Sequence, residues 1–295
     1  MIAIASGALY YYFASEPTQP MVTDSIESDT DDLLYPIHKV IRYSFLLKNT
    51  SNQLIKQADF KAYAPVEKTA SQHTKSIKAS EKFELTRDPL GNQVMDFTIN
   101  ELPPYGSKVI TITAEISLSE QPNSLDEKNL SDYLQQEPFI EISEPQIQAL
   151  ATRLSTSKHD AISQSVFDWV SKHIDYAGYV SSDQGALYAL QQGKGDCTEY
   201  MYLSTALLRA NDIPARGMGG FVVSENSVLS ASDYHNWTEY YQDEQWHLLD
   251  AQKQVLDTQY QDYISFRVFG QKGQNALSQS QRFLAYDPRL EVRMN

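Results

Sequence analysis

Cysteine is nearly missing from this chain of 295 residues: Cys197 is the only one. A lone thiol excludes an internal disulfide and any multi-cysteine zinc or iron–sulfur site. A basic excess is missing too. Lys and Arg number 24 against 38 Asp and Glu, a formal net charge of −14. That argues against a general nucleic-acid binder, which needs a basic face, and fits a soluble protein kept apart from its own copies by repulsion. Long apolar runs are also absent. The least polar stretch, residues 2–14, is uncharged but falls short of the roughly 20 apolar residues of a spanning helix. It also lacks the basic flank of a secretory signal.

Residues 1–14 therefore read as the remnant of a signal anchor, with an ordinary buried amino-terminal segment as the alternative. An anchor implies membrane attachment through this segment and an extracytoplasmic, periplasmic location for the rest of the chain. Residues 15–35 are polar and acidic, with Pro17, Pro20 and the cluster Asp29, Asp31 and Asp32. They read as a linker, because no glycine and no EF-hand spacing support a calcium loop.

A hydrophobic content of 41% with 11% aromatics supports genuine cores, and the length allows two domains. Residues 36–119 carry strand patterns. Ile37, Ile41, Tyr43, Phe45 and Leu47 share one face of a first strand, and Ile110, Ile112, Ala114, Ile116 and Leu118 one face of a last. Between them, Asp88-Pro89-Leu90-Gly91-Asn92 reads as a hairpin loop. Short alternating strands without helical periodicity predict an amino-terminal, immunoglobulin-like antiparallel β-sandwich. Residues 120–137 are polar and read as a second linker, expected to be open to proteolysis.

Residues 138–295 change character. Ile147, Leu150, Ala151 and Leu154 after Pro145, then Ile162, Val166, Trp169, Val170 and Ile174, mark two helices with core faces. Ser182-Asp183 can cap a third, stopped at Gly193. A fourth helix is predicted from Cys197 to Ala210. Asp196 is its N-cap and Glu199, three residues on, completes a capping box. Cys197 then stands on the first helical position, where free N–H groups and the dipole favour thiolate and can hold an oxyanion. Gly193 and Gly195 leave room for substrate backbone.

His235, Trp237 and Glu239 lie on one face of a later strand, and Trp246, Leu248 and Asp250 on one face of the next. A two-residue turn at Gln242-Asp243 sets His235 directly opposite Asp250, and any even, unbulged connection keeps them on one face. Cys197, His235 and Asp250 thus form a candidate nucleophile, base and orienting acid. Alone, His235 is better read as a core histidine and Asp250 as a turn-capping acid, while Cys197 alone reads equally as a nucleophile or as a small buried hydrophobe. Zinc on the same three lacks a fourth ligand.

Gly195-Asp196-Cys197-Thr198-Glu199, Ile213-Pro214-Ala215-Arg216, His235-Asn236-Trp237-Thr238-Glu239 and Trp246-His247-Leu248-Leu249-Asp250 together resemble the transglutaminase-like superfamily. One departure is Asn211-Asp212, where the family usually carries glycine. The resemblance implies an α+β, papain-like core of helices packed on an antiparallel sheet, often behind an amino-terminal β-sandwich. It also implies Cys197 as nucleophile, His235 as base and Asp250 as its orienter. The expected activity is cysteine-dependent acyl transfer on a protein or peptide substrate through a thioester, with hydrolysis favoured over glutamine–amine cross-linking. A non-enzymatic scaffold that retains the triad is the other class. Neither a cofactor nor a nucleic acid is expected, and the oligomeric state is left open. Gln184, Tyr179 and Trp237 are the candidates for oxyanion or positioning roles.

Overall fold

A computed structural model describes residues 32–125, 129–156, 161–179, 182–270, 277 and 282–295. The anchor reading of 1–14 and most of the acidic linker lie outside them.

The alternating residues become strands buried on one face. β1 (Ile37–Asn49), β2 (Ile55–Ala64), β3 (Gln72–Ala79), β4 (Glu84–Arg87), β5 (Gln93–Leu102) and β6 (Ser107–Leu118) come first. Ile41, Tyr43, Phe45 and Leu47 are buried against Ile110, Ile112, Ala114 and Ile116 in one core. Then come helices α1 (Pro145–Ser155) and α2 (Ile162–His173), strand β7 (Asp175–Tyr176), helix α3 (Ala186–Gln192), strand β8 (Lys194–Gly195) and helix α4 (Cys197–Arg209). Next are strands β9 (Ala215–Val222), β10 (Ser227–Val228), β11 (Tyr234–Gln242), β12 (Gln245–Asp250), β13 (Val255–Leu256) and β14 (Tyr263–Val268). The chain closes with β15 (Phe283–Ala285) and β16 (Leu290–Met294).

The amino-terminal strands form two sheets around one core, β10-β1-β6-β3 with β16 also on β1, and β15-β2-β5-β4. The third large sheet, β13-β12-β11-β9-β14, is antiparallel throughout. Helices α1 to α4 share a core with one face of it, through Ala215, Tyr240 and Leu249. Met218, Trp237, Leu248 and Tyr263 form a separate cluster. This is the expected α+β architecture.

The chain does not divide as the boundary at 138–295 implies. β15 and β16 pair with β2 and β1, and Phe221, Ile264, Phe266 and Leu290 are buried in the sandwich core. A cut between residues 119 and 137 is therefore expected to leave the two parts associated, not to release a stable carboxy-terminal piece. A chain stopped at residue 288 loses β16, which covers Phe45 and Leu47 through a five-residue ladder. It also loses Leu290, 5% exposed, whose burial alone is worth about 2 kcal/mol. Thermal unfolding should show a clear fall in Tm, and an unchanged Tm would detach β16 from the sandwich.

Candidate active site around Cys197

The head of α4 is built as its sequence implies. The Asp196 carboxylate accepts from the Thr198 N–H at 2.8 Å, and the Glu199 carboxylate accepts from the Asp196 N–H at 3.0 Å. Glu199 is fully buried, and its second oxygen takes the Gln184 N–H at 3.0 Å, tying the preceding loop to the helix. Burial pushes the Glu199 carboxyl up to about 7, against the pull of those two N–H groups. Gly195 serves this packing and not the approach of substrate: a Cβ there would lie 2.3 Å from the Glu199 Cβ. Glu199→Ala strands two backbone donors and should cost about 2–4 kcal/mol, read as a lowered Tm.

His235 and Asp250 meet on one face of the sheet. The turn is Asp243-Glu244, with both residues at positive φ and Gln242 paired to Gln245, as in a type I′ hairpin. This shifts the register by two from the expected Gln242-Asp243 turn, so His235 reaches Asp250 diagonally and not directly across. The face is kept because the connection is even. His235 Nε2 lies 2.5 Å from Asp250 Oδ2, which also accepts from the Tyr263 hydroxyl at 2.8 Å, while Oδ1 accepts from the Lys253 N–H at 3.0 Å. Asp250 is 2% exposed, so its oxygens are met by these three protein groups. Trp237 stacks on the His235 ring at 6.5 Å and meets Tyr263 edge-on at 5.1 Å.

Cys197 is part-buried, and what reaches its sulfur is Asn236. The Asn236 side-chain amide donates to Sγ at 3.8 Å and to Thr198 Oγ1 at 2.9 Å. Among the described residues no hydrogen bond joins Sγ to His235, and none engages His235 Nδ1. Strand alternation gives the reason. Thr238 bonds the Met201 carbonyl and the Thr205 hydroxyl of α4, so Asn236, two residues earlier, faces the helix, and His235 turns the other way. The expected thiolate is also corrected. Burial pushes the Cys197 thiol up to about 12, with Asp196 next, against hydrogen bonds from the Asn236 main chain and from Thr198. The capping carboxylate offsets the helix dipole that was expected to favour the anion.

Residues 148–251 match the family model of the transglutaminase-like superfamily. This span is a transglutaminase-like core. It opens in α1 and closes one residue past Asp250, in a superfamily of cysteine-dependent acyl transfer and hydrolysis. Among solved structures, this chain is similar to "a Putative Cysteine Protease from Cytophaga hutchinsonii". The two are 16% identical over 88% of this chain and 89% of that one, with a TM-score of 0.58, a likeness of fold. The periplasmic domain of TgpA from Pseudomonas aeruginosa is 17% identical over 72% of this chain and 88% of that one, with a TM-score of 0.39. No curated protein matches the sequence.

Beside the thiol of the transglutaminase-like core lies a cavity of about 570 Å³, lined by Cys197 and Thr198 with Tyr179, Asn236, Arg267 and Arg282 among others. Of the three further candidates, Tyr179 is on this wall and 81% exposed. Gln184 is not. Its side-chain amide is turned onto Ser182, and its contribution is the main-chain link to Glu199. Trp237 is 1% exposed, its indole nitrogen has no partner among the described residues, and it lies behind the His235–Asp250 pair.

Sequence reasoning missed Asn236, Tyr263, Gly219 and the two arginines. Asn236 was within reach, because alternation in His235-Asn236-Trp237 sends it toward the cysteine helix. Gly219 makes room for this wall: a Cβ there would lie 2.2 Å from the Tyr234 hydroxyl and 2.9 Å from Asn236 Oδ1. No helix among the described residues is long and apolar enough to cross a membrane.

Proposed function

We propose that the protein is a cysteine-dependent acyl transferase acting on peptide or carboxamide carbonyls, with water as its usual acceptor. The observation that carries this is the buried His235–Asp250 pair on the sheet that packs against the cysteine helix, with Asp250 near enough for its charge to act on the Cys197 thiol. Nε2 is engaged by Asp250, which leaves Nδ1 to exchange a proton with the thiol. Cys197 Sγ gives that proton to Nδ1 and bonds the carbonyl carbon. The collapsing intermediate expels the amine, which takes the proton from Nδ1, and a thioester remains. Water then loses a proton to Nδ1 and attacks, and the sulfur leaves and recovers its proton. Asp250 holds the ring orientation and stabilises the imidazolium. The Cys197 N–H at the first helical position and the Asn236 amide are the donors nearest the developing oxyanion.

In the resting protein the sulfur and the imidazole are not hydrogen-bonded, and such contacts often close only once substrate is bound. The same observation favours a second reading, a scaffold that keeps the triad without using it. The pH dependence of alkylation by iodoacetamide separates resting states cleanly on a single-cysteine chain. A thiol raised to about 12 is protonated at neutral pH. Its rate should therefore climb by about tenfold per pH unit from 7 toward 10, since only thiolate reacts. A plateau from pH 6 to 9 would show a preformed thiolate–imidazolium pair.

Tyr263→Phe removes one of two donors on Asp250 Oδ2 and should lower the acylation rate by about three- to tenfold, with little change in KM. The apolar run at residues 2–14 supports placing the protein outside the cytoplasm, as a membrane-attached protein. Fractionation of the full chain tests this, and recovery in the cytoplasmic fraction would refute it.

A further inference from the structure

The cavity beside Cys197 has an unusual wall for a chain of net charge −14. Arg267 and Arg282 both line it. Arg267, on β14, is 7% exposed, with its guanidinium over the Phe269 ring at 4.3 Å and the Tyr63 ring at 5.3 Å. Arg282 covers the Tyr234 ring at 4.6 Å and donates one N–H to the Ala231 carbonyl at 3.0 Å. A guanidinium carries five donors in a planar fork, so one carbonyl leaves most of Arg282 for another partner. Both arginines act on the Tyr234 hydroxyl. Burial pushes it up to about 12, the two positive charges pull it back, and the Cys197 sulfur is close enough to be felt at the same atom. One phenol therefore sees both guanidiniums and the thiol.

Two acidic groups share the wall, and each also accepts a hydrogen bond from the protein. Asp196 accepts from the Thr198 N–H as the helix cap, and Asp183 accepts from the Tyr202 hydroxyl at 2.9 Å. Among the described residues, no leucine, isoleucine, valine or methionine lines the cavity, so it offers little to an aliphatic side chain. Stacked arginines beside aromatic rings are suited to planar anions, and a carboxylate fits their fork in two-point fashion.

We propose that Arg282, with the positive charge of Arg267 on the same wall, forms a carboxylate-binding subsite, so that the acyl donors preferred by Cys197 carry a carboxylate close to the carbonyl under attack. This rests on the nucleophile reading above and names its substrate class. An acidic side chain and a free carboxy terminus share that chemistry.

The test uses the single thiol. Iodoacetate and iodoacetamide each alkylate Cys197 by the same displacement, in which the sulfur bonds the methylene carbon and iodide leaves, and they differ in carrying a carboxylate or an amide. The ratio of their rates, referred to the ratio for glutathione at the same pH, reads the subsite. Wild type should favour iodoacetate by several-fold over that reference. Arg282→Gln should reduce the ratio by about fivefold while iodoacetamide alone changes by less than about twofold, and Arg282→Lys should retain part of the preference. Raising the salt should erode the preference in wild type more than in Arg282→Gln. A wild-type ratio at or below that of glutathione, or one unchanged in Arg282→Gln, overturns the subsite. Failure of the nucleophile reading shows separately, as the absence of any acyl adduct on Cys197 after mixing with a peptide ester. Quenched peptides differing only in an internal Glu or Gln, and in a free or amidated carboxy terminus, then tell the two sources apart. A set in which neither charge changes kcat/KM in wild type also overturns the proposal.

Discussion

Cys197→Ser is expected to lower acyl transfer by at least about 10³-fold while leaving the fold and Tm close to wild type. The substitution is nearly isosteric at a part-buried position, and the cap from Asp196 to Thr198 does not involve the side chain. What is lost is chemical. The thiol is already raised to about 12 by burial and Asp196, and a hydroxyl in the same place is far harder to ionise. The proton must pass to His235 as the carbonyl is attacked, and a serine gives that step a much poorer start. Stopped-flow acylation by an activated ester, with circular dichroism as the fold control, reads both parts. A serine variant that turns over within tenfold of wild type would remove the thiol from the chemistry.

Asp250→Asn should lower turnover by about 10²–10⁴-fold with a much smaller change in KM, and it carries a second signature. The carboxylate accepts from His235 and Tyr263 on Oδ2 and from the Lys253 N–H on Oδ1. An amide has one acceptor and one donor end. Either its N–H₂ faces Lys253 and leaves that N–H unpaired, or it confronts both His235 and Tyr263. At least one buried donor is stranded in either case, at about 1–3 kcal/mol each. Tm should therefore fall as well, and pairing Asp250→Asn with Tyr263→Phe should cost less than the sum of the two, because the second change removes a donor the first has stranded. Additive losses would argue that the introduced amide has found other partners. Full activity with a lowered Tm would reduce Asp250 to a structural acid.

The elements of this site were legible in the sequence to the extent that they are local. The Asp196–Glu199 capping box fixes the head of α4 from residues three apart, and the alternation of His235, Trp237 and Glu239 against Leu248 and Asp250 fixes the shared face. Register was less accessible. Asp243-Glu244 adopts positive φ at both positions without the Asn-Gly signature of such turns, so the turn was placed one residue early. Tyr263 could not be foreseen. It lies on β14, two strands from β11 across β9, and nothing near it in sequence points to Asp250. The same holds for Arg267 and Arg282, which long-range pairing carries to the thiol. The sandwich strands were readable by period two, but the return of β15 and β16 to β2 and β1 was not, because short strands after residue 282 carry no mark of their partner.

The central claim is that Cys197 takes an acyl group with help from His235. Intact-mass analysis of the full chain, quenched in acid milliseconds to minutes after mixing with a peptide ester, tests it most directly. Wild type should gain the mass of one acyl group on the peptide that contains Cys197, as a thioester discharged by hydroxylamine, and should lose it with time in water. His235→Ala should acylate at least about 10²-fold more slowly. No acyl adduct on wild type, or an adduct that forms equally fast in His235→Ala, would contradict the account.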